Sequence, residues 1–396
     1  MRPYQYIIVG GGMTADAAVK GIREVDADGS IAVISDEPDP PYNRPPLSKA
    51  LWKGKPLESI WRGTKERGAD LILGKRVIRI DAGQKQVTDH LGAVYGYQKL
   101  LLANGGTPRR LRSDNTDVLY FRTLQDYHRL RQLADEVPHF AVIGGGFIGS
   151  ELAAALCMSG KKVTMIFPEA AIGGRLFPPA LAGFLNNLYR QKGIEVLNGV
   201  SVAGVKTKSG RCTVYLEDGR RVVVDAVLAG LGITPNASLA WEAGLATDNG
   251  ITVNDLLQTT QQDIFAAGDI ANFHNPLLGT RLRVEHEDNA NMMGEAAGRN
   301  MAGQALPYHY LPYFYSDLFE IGYEAIGETR PDHTIVIHWR EPLRRGCIFY
   351  LHQDRVRGIV FWNQWNCLPA GRELLADPGP FDSARLKEWA QRLPDG

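Results

Sequence analysis

One supersecondary pattern occurs twice in this chain, and the repetition limits the possible folds more than any other feature. A β-rich run at residues 6–9 meets Gly10-Gly11-Gly12, a helical stretch follows from 15 to about 24, and an apolar run at 31–35 ends in Asp36-Glu37. At 140–143 a second apolar run meets Gly144-Gly145-Gly146-Phe147-Ile148-Gly149, a helix begins near Ser150 and Glu151, and the run 162–167 passes into Pro168-Glu169. In such a βαβ unit the glycines let the backbone close on a pyrophosphate. The helix N-terminus offers N–H groups to it, and an acid at the end of the second strand accepts from ribose hydroxyls. The first copy reads Gly-x-Gly-x-x-Ala and the second is a complete Gly-x-Gly-x-x-Gly. Two copies predict two dinucleotide sites. Glu169 predicts NADH over NADPH, because a carboxylate there repels a 2′-phosphate.

The remaining chain hangs on these units. Short strands are expected at 71–73, 76–80, 85–88 and 99–103, and again at 195–197, 200–206, 212–216 and 221–229, as β-meanders attached to each copy. Residues 264–269 read as a buried strand ending in a carboxylate, and a helix follows at about 288–302. From 307 the composition turns aromatic and proline-rich, then shows alternating strands at 333–339, 346–352 and 355–362 and helical stretches near 369–376 and 383–392. The expected class is α/β: two Rossmann-type domains with inserted β-meanders and a C-terminal α+β domain. The expected bounds are 1–112 with 238–306, 113–237, and 307–396.

Composition narrows the function. Lys and Arg number 44 against 44 Asp and Glu. That balance argues against a general nucleic-acid binder or a polybasic membrane-surface protein. No apolar run is long enough to span a bilayer, and no leader pattern precedes the first strand. The expectation is a cytoplasmic protein. The four cysteines, Cys157, Cys212, Cys347 and Cys367, show no metal-ligand spacing, so no metal site is expected.

Longer motifs carry a resemblance. Pro41-Tyr-Asn-Arg-Pro-Pro-Leu-Ser-Lys49, Ala103-Asn-Gly-Gly-Thr-Pro-Arg109, Phe121-Arg122 and Ala266-Ala-Gly-Asp269 resemble the flavin-binding segments of the FAD-dependent pyridine nucleotide oxidoreductases. Within them the likeness runs to the oxygenase-coupled ferredoxin reductases and to the apoptosis-inducing-factor group. Asn104 replaces the usual Thr. Arg283-Val-Glu-His-Glu-Asp288, the run 314–327 and Gly358-Ile-Val-Phe-Trp-Asn363 are similar to the apoptosis-inducing-factor group, so the resemblance covers essentially the whole chain. It implies a fold of glutathione-reductase type with FAD and NAD as cofactors. It assigns Gly10, Gly11, Gly12, Met13, Thr14, Asp36, Glu37, Arg44, Lys49, Val77, Arg122, Asp269, Glu285 and His286 to FAD. Tyr315 falls where that group has a Trp beside the isoalloxazine. Gly145, Gly146, Phe147, Ile148, Glu169, Arg175, Gly232 and Glu324 are assigned to NADH.

The same resemblance pairs Lys49 with Glu151 as the catalytic pair, orienting Lys49 toward flavin N5. A buried ammonium requires such a partner. Family members that work through a redox cysteine carry it in the segment matching 44–52, which here has none. Electrons are therefore expected to pass directly to an acceptor, a ferredoxin- or rubredoxin-type protein. The alternative reading is an NADH oxidase or redox-state sensor with a long-lived reduced flavin and redox-linked dimerisation. Monomer and homodimer both remain open.

Overall fold

The computed structural model describes residues 2–112 and 118–394. The chain forms two compact units, each assembled from separate stretches. The expected break between 112 and 113 falls at the edge of a segment outside the described residues.

The first unit comprises Met1–Arg44, Pro56–Thr107 and Thr234–Pro312. Its sheet is built on parallel strands in the order Ala69–Ile72, Ile31–Ile34, Arg2–Val9, Val94–Leu102. The last strand is long enough to serve two neighbours. Its first half pairs antiparallel with Gln86–Asp89, which pairs in turn with Val77–Asp81, and its second half pairs parallel with Ile264–Ala266. Ile7, Ile8, Ala32, Val33, Leu100, Leu101 and Ala266 are all buried. Continuous apolar runs of this kind mark strands covered on both faces. Register brings Val9 level with Ile34 and Leu102, and Leu102 level with Ala266. Four strands thus end together, and the loops leaving them share one rim, where open α/β sheets bind ligands.

Helices Met13–Arg23 and Glu287–Met301 pack against each other at backbone distance. A Cβ on Gly298 would stand 2.2 Å from the Ala18 carbonyl oxygen. Asp16, buried in the first of these helices, is held by Arg62 Nε at 2.8 Å, Arg67 Nη1 at 2.7 Å and Thr64 Oγ1 at 2.5 Å.

The second unit comprises Pro45–Lys55, Pro108–Ile233 and Tyr313–Gly396. Its parallel sheet has the order Glu195–Asn198, Lys162–Phe167, His139–Ile143, Ala226–Ala229, Val118–Tyr120. Helices Leu124–Glu136, Phe147–Met158 and Pro179–Gln191 accompany it. The stretch expected as one strand at 221–229 is two. Arg221–Val224 closes a three-stranded antiparallel sheet, and Ala226–Ala229 enters the parallel one. Asp225 sits at the break, exchanging hydrogen bonds with His139: its N–H donates to the His139 carbonyl at 3.0 Å, and its carboxylate accepts from the His139 N–H at 3.1 Å.

A five-stranded antiparallel sheet completes the unit, in the order Tyr313–Leu318, Ile321–Gly327, Arg355–Trp362, Arg345–His352, Thr334–Glu341. Helices Leu368–Ala376 and Ser383–Gln391 follow. Trp362 stacks on Tyr323, and Phe177 meets both rings edge-on at 5.0 and 5.3 Å. The Tyr350 hydroxyl donates to the Leu176 carbonyl at 2.7 Å. The C-terminal sheet is therefore anchored to the segment that follows Glu169 within the same unit.

Candidate functional site

In the first unit the rim of the sheet forms a cradle. Gly10 leaves its strand at φ +114, and a Cβ there would lie 2.3 Å from the Ala103 carbonyl oxygen, so only glycine fits. Gly12 caps the helix Met13–Arg23 with no side-chain hydrogen bond, and the space where its Cβ would stand is open, Arg44 Nη2 at 4.0 Å being its nearest neighbour. A helix N-terminus with unoccupied room above it suits a phosphate. Asp36 is exposed, whereas Glu37 is half-buried and organised. Glu37 pairs with Arg44 and accepts the Tyr42 hydroxyl proton at 2.6 Å. On the same rim Gly268 lies against Thr14, and Asp269 sits in the short 3-10 turn Gly268–Ile270, its carbonyl accepting from Arg283 Nη1 at 3.0 Å. Glu285 pairs with Arg283 at 2.6 Å, and His286 caps the helix Glu287–Met301. Asn104 Oδ1, next to the Ala103 carbonyl that faces Gly10, is buried without a hydrogen-bond partner. Val77 is buried at the start of the edge strand Val77–Asp81.

The second unit repeats the device. Gly144 has φ +115, and its Cβ would stand 2.4 Å from the Gly230 carbonyl oxygen. Gly146 caps the helix Phe147–Met158 without a side-chain bond and has open space where a Cβ would be. Gly145 lies over the Phe167 ring, Phe147 meets Phe314 edge-on at 5.6 Å, and Ile148 is exposed. Glu169 Oε1 pairs with Arg175 Nη2 at 2.5 Å. The Gly232 carbonyl accepts the Arg109 N–H at 2.9 Å. Glu324 is half-buried, and its Oε2 has no hydrogen-bond partner. Burial raises its carboxyl above the usual range, and Arg372 opposes the shift. A buried acceptor without a donor is in the state expected of a ligand contact.

Lys49 and Glu151 meet in this second unit. Lys49 Nζ lies 3.1 Å from Glu151 Oε1, with side-chain exposures of 12% and 6%. Glu151 belongs to a helix whose residues 149–156 are all buried, so its charge must be answered by the protein. Besides Lys49 it accepts from Ser48 Oγ and Ser316 Oγ, each at 2.6 Å. The Tyr315 ring stands 4.2 Å from the Lys49 ammonium. Arg122 also belongs to this unit, its backbone N–H donating to Asp126 at 3.0 Å. The residues read from the sequence thus divide. Gly10 to Thr14, Asp36, Glu37, Arg44, Val77, Asp269, Glu285 and His286 lie in the first unit, and the others lie in the second. Ser48, Ser316 and Tyr42 are additions from the structure.

The chain matches known proteins. The family model for pyridine nucleotide-disulphide oxidoreductases matches residues 4–294. The chain belongs to this family. This oxidoreductase is 33% identical to apoptosis-inducing factor 1 of Dictyostelium discoideum, over 95% of this chain and 79% of that protein. It is 32% identical to the 3-phenylpropionate/cinnamic acid dioxygenase ferredoxin–NAD(+) reductase component of Photorhabdus laumondii, over 98% of this chain and all of that one. Its fold superposes with a TM-score of 0.90 on the reductase in a covalent putidaredoxin reductase–putidaredoxin complex, at 30% identity, covering 98% and 99% of the two chains. The oxidoreductase is therefore an FAD-dependent, ferredoxin-reductase-like enzyme of NAD(P)H. The open space at Gly12 and Gly146, the orphaned acceptors on Asn104 and Glu324 and the braced acid Glu37 fit FAD and NAD(H). Among the described residues no helix is long and apolar enough to cross a membrane.

Proposed function

We propose that the enzyme prefers NADH and delivers electrons, without a redox disulfide, to a small ferredoxin- or rubredoxin-type protein. The observation that carries this reading is the buried Lys49–Glu151 pair, whose lysine lies in the segment where the resemblance puts the cysteine of disulfide-using family members. The cysteines themselves support it. Burial raises the thiols of Cys157, Cys347 and Cys367 above the ordinary range, which keeps them protonated and poorly nucleophilic. The names of the ferredoxin–NAD(+) reductase component and of the putidaredoxin reductase complex support the acceptor class.

Bound FAD supplies the redox chemistry, accepting two electrons as hydride and releasing them singly. The chain binds and orients. Residues 10–14 would hold the FAD pyrophosphate with backbone N–H groups, and Glu37, braced by Tyr42 and Arg44, a ribose hydroxyl. Asp269, Glu285, His286, Val77 and Arg122 are assigned the remaining FAD contacts. Residues 145–148 would hold the NADH pyrophosphate, and Glu169 its adenosine ribose. Gly232 and Glu324 would complete that site. Lys49 would present its ammonium to the flavin ring, held in place by Glu151 and covered by Tyr315.

Anaerobic titration of the purified yellow protein with NADH, followed by stopped-flow mixing with ferredoxins and with air, tests the reading. Bleaching by NADH and rapid return of the oxidised spectrum on mixing with a ferredoxin support it. A reduced spectrum that persists for minutes in air and against every ferredoxin would overturn it in favour of a redox-state sensor.

A further inference from the structure

Glu151 has three donors, and two of them are serines to which nothing so far assigns a role. Ser48 Oγ donates to Oε2 at 2.6 Å, and Ser316 Oγ donates to Oε1 at 2.6 Å, the same oxygen that Lys49 reaches at 3.1 Å. Ser48 and Ser316 are 5% and 1% exposed, so no solvent competes for their hydroxyls. Each serine is also the chain neighbour of a residue that touches the others. Ser48 precedes Lys49, and Ser316 follows Tyr315, whose ring faces the Lys49 ammonium at 4.2 Å.

Ser316 is itself supported. In the hairpin Tyr313–Leu318 with Ile321–Gly327 it stands directly opposite Tyr323, so both side chains share one face. Ser316 gives its proton to Glu151 Oε1. Tyr323 is fixed by the stacked Trp362 ring and the edge of Phe177. The result is a buried chain running from Ser316 through Glu151 to Lys49. Linked hydrogen bonds of this kind in a low-dielectric interior polarise one another and hold one geometry.

We infer that Ser316 and Ser48 are positioning residues for the flavin half-reaction. They fix the Glu151 carboxylate on both oxygens, and Glu151 in turn fixes the Lys49 ammonium. The inference rests on the reading that Lys49 faces the flavin. Without the serines Lys49 keeps its charge but loses its fixed place, so its effect on the cofactor weakens.

The test measures the flavin midpoint potential and the rate of reduction by NADH on the holoenzyme of wild type and four variants. Lys49→Ala should make the potential more negative, since a nearby cation favours reduced, anionic flavin. Ser316→Ala and Ser48→Ala should each shift it the same way by less, and each should slow reduction about tenfold, the effect of one charge-assisted hydrogen bond. Ser316→Thr, which keeps the hydroxyl, should return toward wild type. If Ser316→Ala fails to hold flavin, Ser48→Ala carries the comparison. A shift in Lys49→Ala with wild-type potentials in both serine variants overturns the inference and leaves the Lys49 reading intact. No shift in Lys49→Ala sinks that reading, and the inference with it.

Discussion

Replacing Glu169 by Ala should reverse or erode the choice of nicotinamide. In the folded chain Glu169 spends Oε1 on Arg175, whose side chain is 82% exposed, while Glu169 is 23% exposed. Its second oxygen remains for a ribose hydroxyl. A hydrogen bond to a charged group is worth about 1.5–3 kcal/mol, so its loss should lower kcat/KM for NADH by about ten- to a hundredfold. The same change releases Arg175. An exposed ion pair is worth at most about 1 kcal/mol, so a 2′-phosphate meeting the freed guanidinium gains about fivefold at best. The NADH/NADPH preference should therefore fall by about tenfold to a few hundredfold, mostly through NADH. The assay is kcat/KM for both nucleotides in wild type, Glu169→Ala and Glu169→Ala/Arg175→Ala. The double variant should lose the NADPH gain and keep the NADH loss. An unchanged preference in Glu169→Ala, or a wild type that favours NADPH, would remove Glu169 from the adenosine site.

Other perturbations follow from the same geometry. Glu151→Ala strands the Lys49 ammonium in a buried site and should cost about 3–5 kcal/mol of stability, measured by urea unfolding. Lys49→Ala should cost less, because Glu151 keeps two serine donors; equal losses would refute the asymmetry. Asp16→Ala breaks a buried acid away from two arginines and should also cost about 3–5 kcal/mol, with loss of FAD on dialysis; a change below about 1 kcal/mol would show that the network is dispensable. Glu324 carries a carboxyl raised by burial, so its share of stability is complete below the ordinary glutamate range and is lost as pH rises through the raised value. Urea midpoints measured from pH 4 to 8 should therefore fall more steeply in wild type than in Glu324→Gln, and parallel curves would contradict the assignment.

Much of this was legible because the glycine turns announce themselves twice, each between an apolar run and a helix. The two parallel sheets and both open cradles follow from that pattern. The hairpin Tyr313–Leu318 with Ile321–Gly327 was read only as a resemblance, and its burial shows why. In Tyr313–Leu318 the fully buried positions are Ser316 and Leu318, while the aromatic residues are half-buried. A hydroxyl turned inward to meet Glu151 disguises the strand's alternation. Helix Leu124–Glu136 was passed over although Thr123 and Asp126 form a capping box at its start, a signal present in the sequence. The break at Asp225 was hidden for another reason. Valines on both sides favour strand, and only the tertiary pairing with His139 separates two sheets there. Glu151 was expected at the start of its helix. The structure begins that helix at Phe147 and buries the acid a full turn inside.

The donors to Glu151 have a consequence for synthesis. During translation Glu151 emerges after Ser48 and Lys49 but well before Ser316. Until the hairpin at 313–327 leaves the ribosome, one oxygen of a carboxylate destined for the interior lacks its serine. The parallel sheet around helix Phe147–Met158 can assemble earlier, from contacts nearer in sequence. That helix cannot reach its final environment until the C-terminal sheet arrives. A chain halted before residue 313 should therefore hold its second nucleotide fold in a loosened form, with Glu151 still hydrated, and the hairpin at 313–327 would be what dries the site.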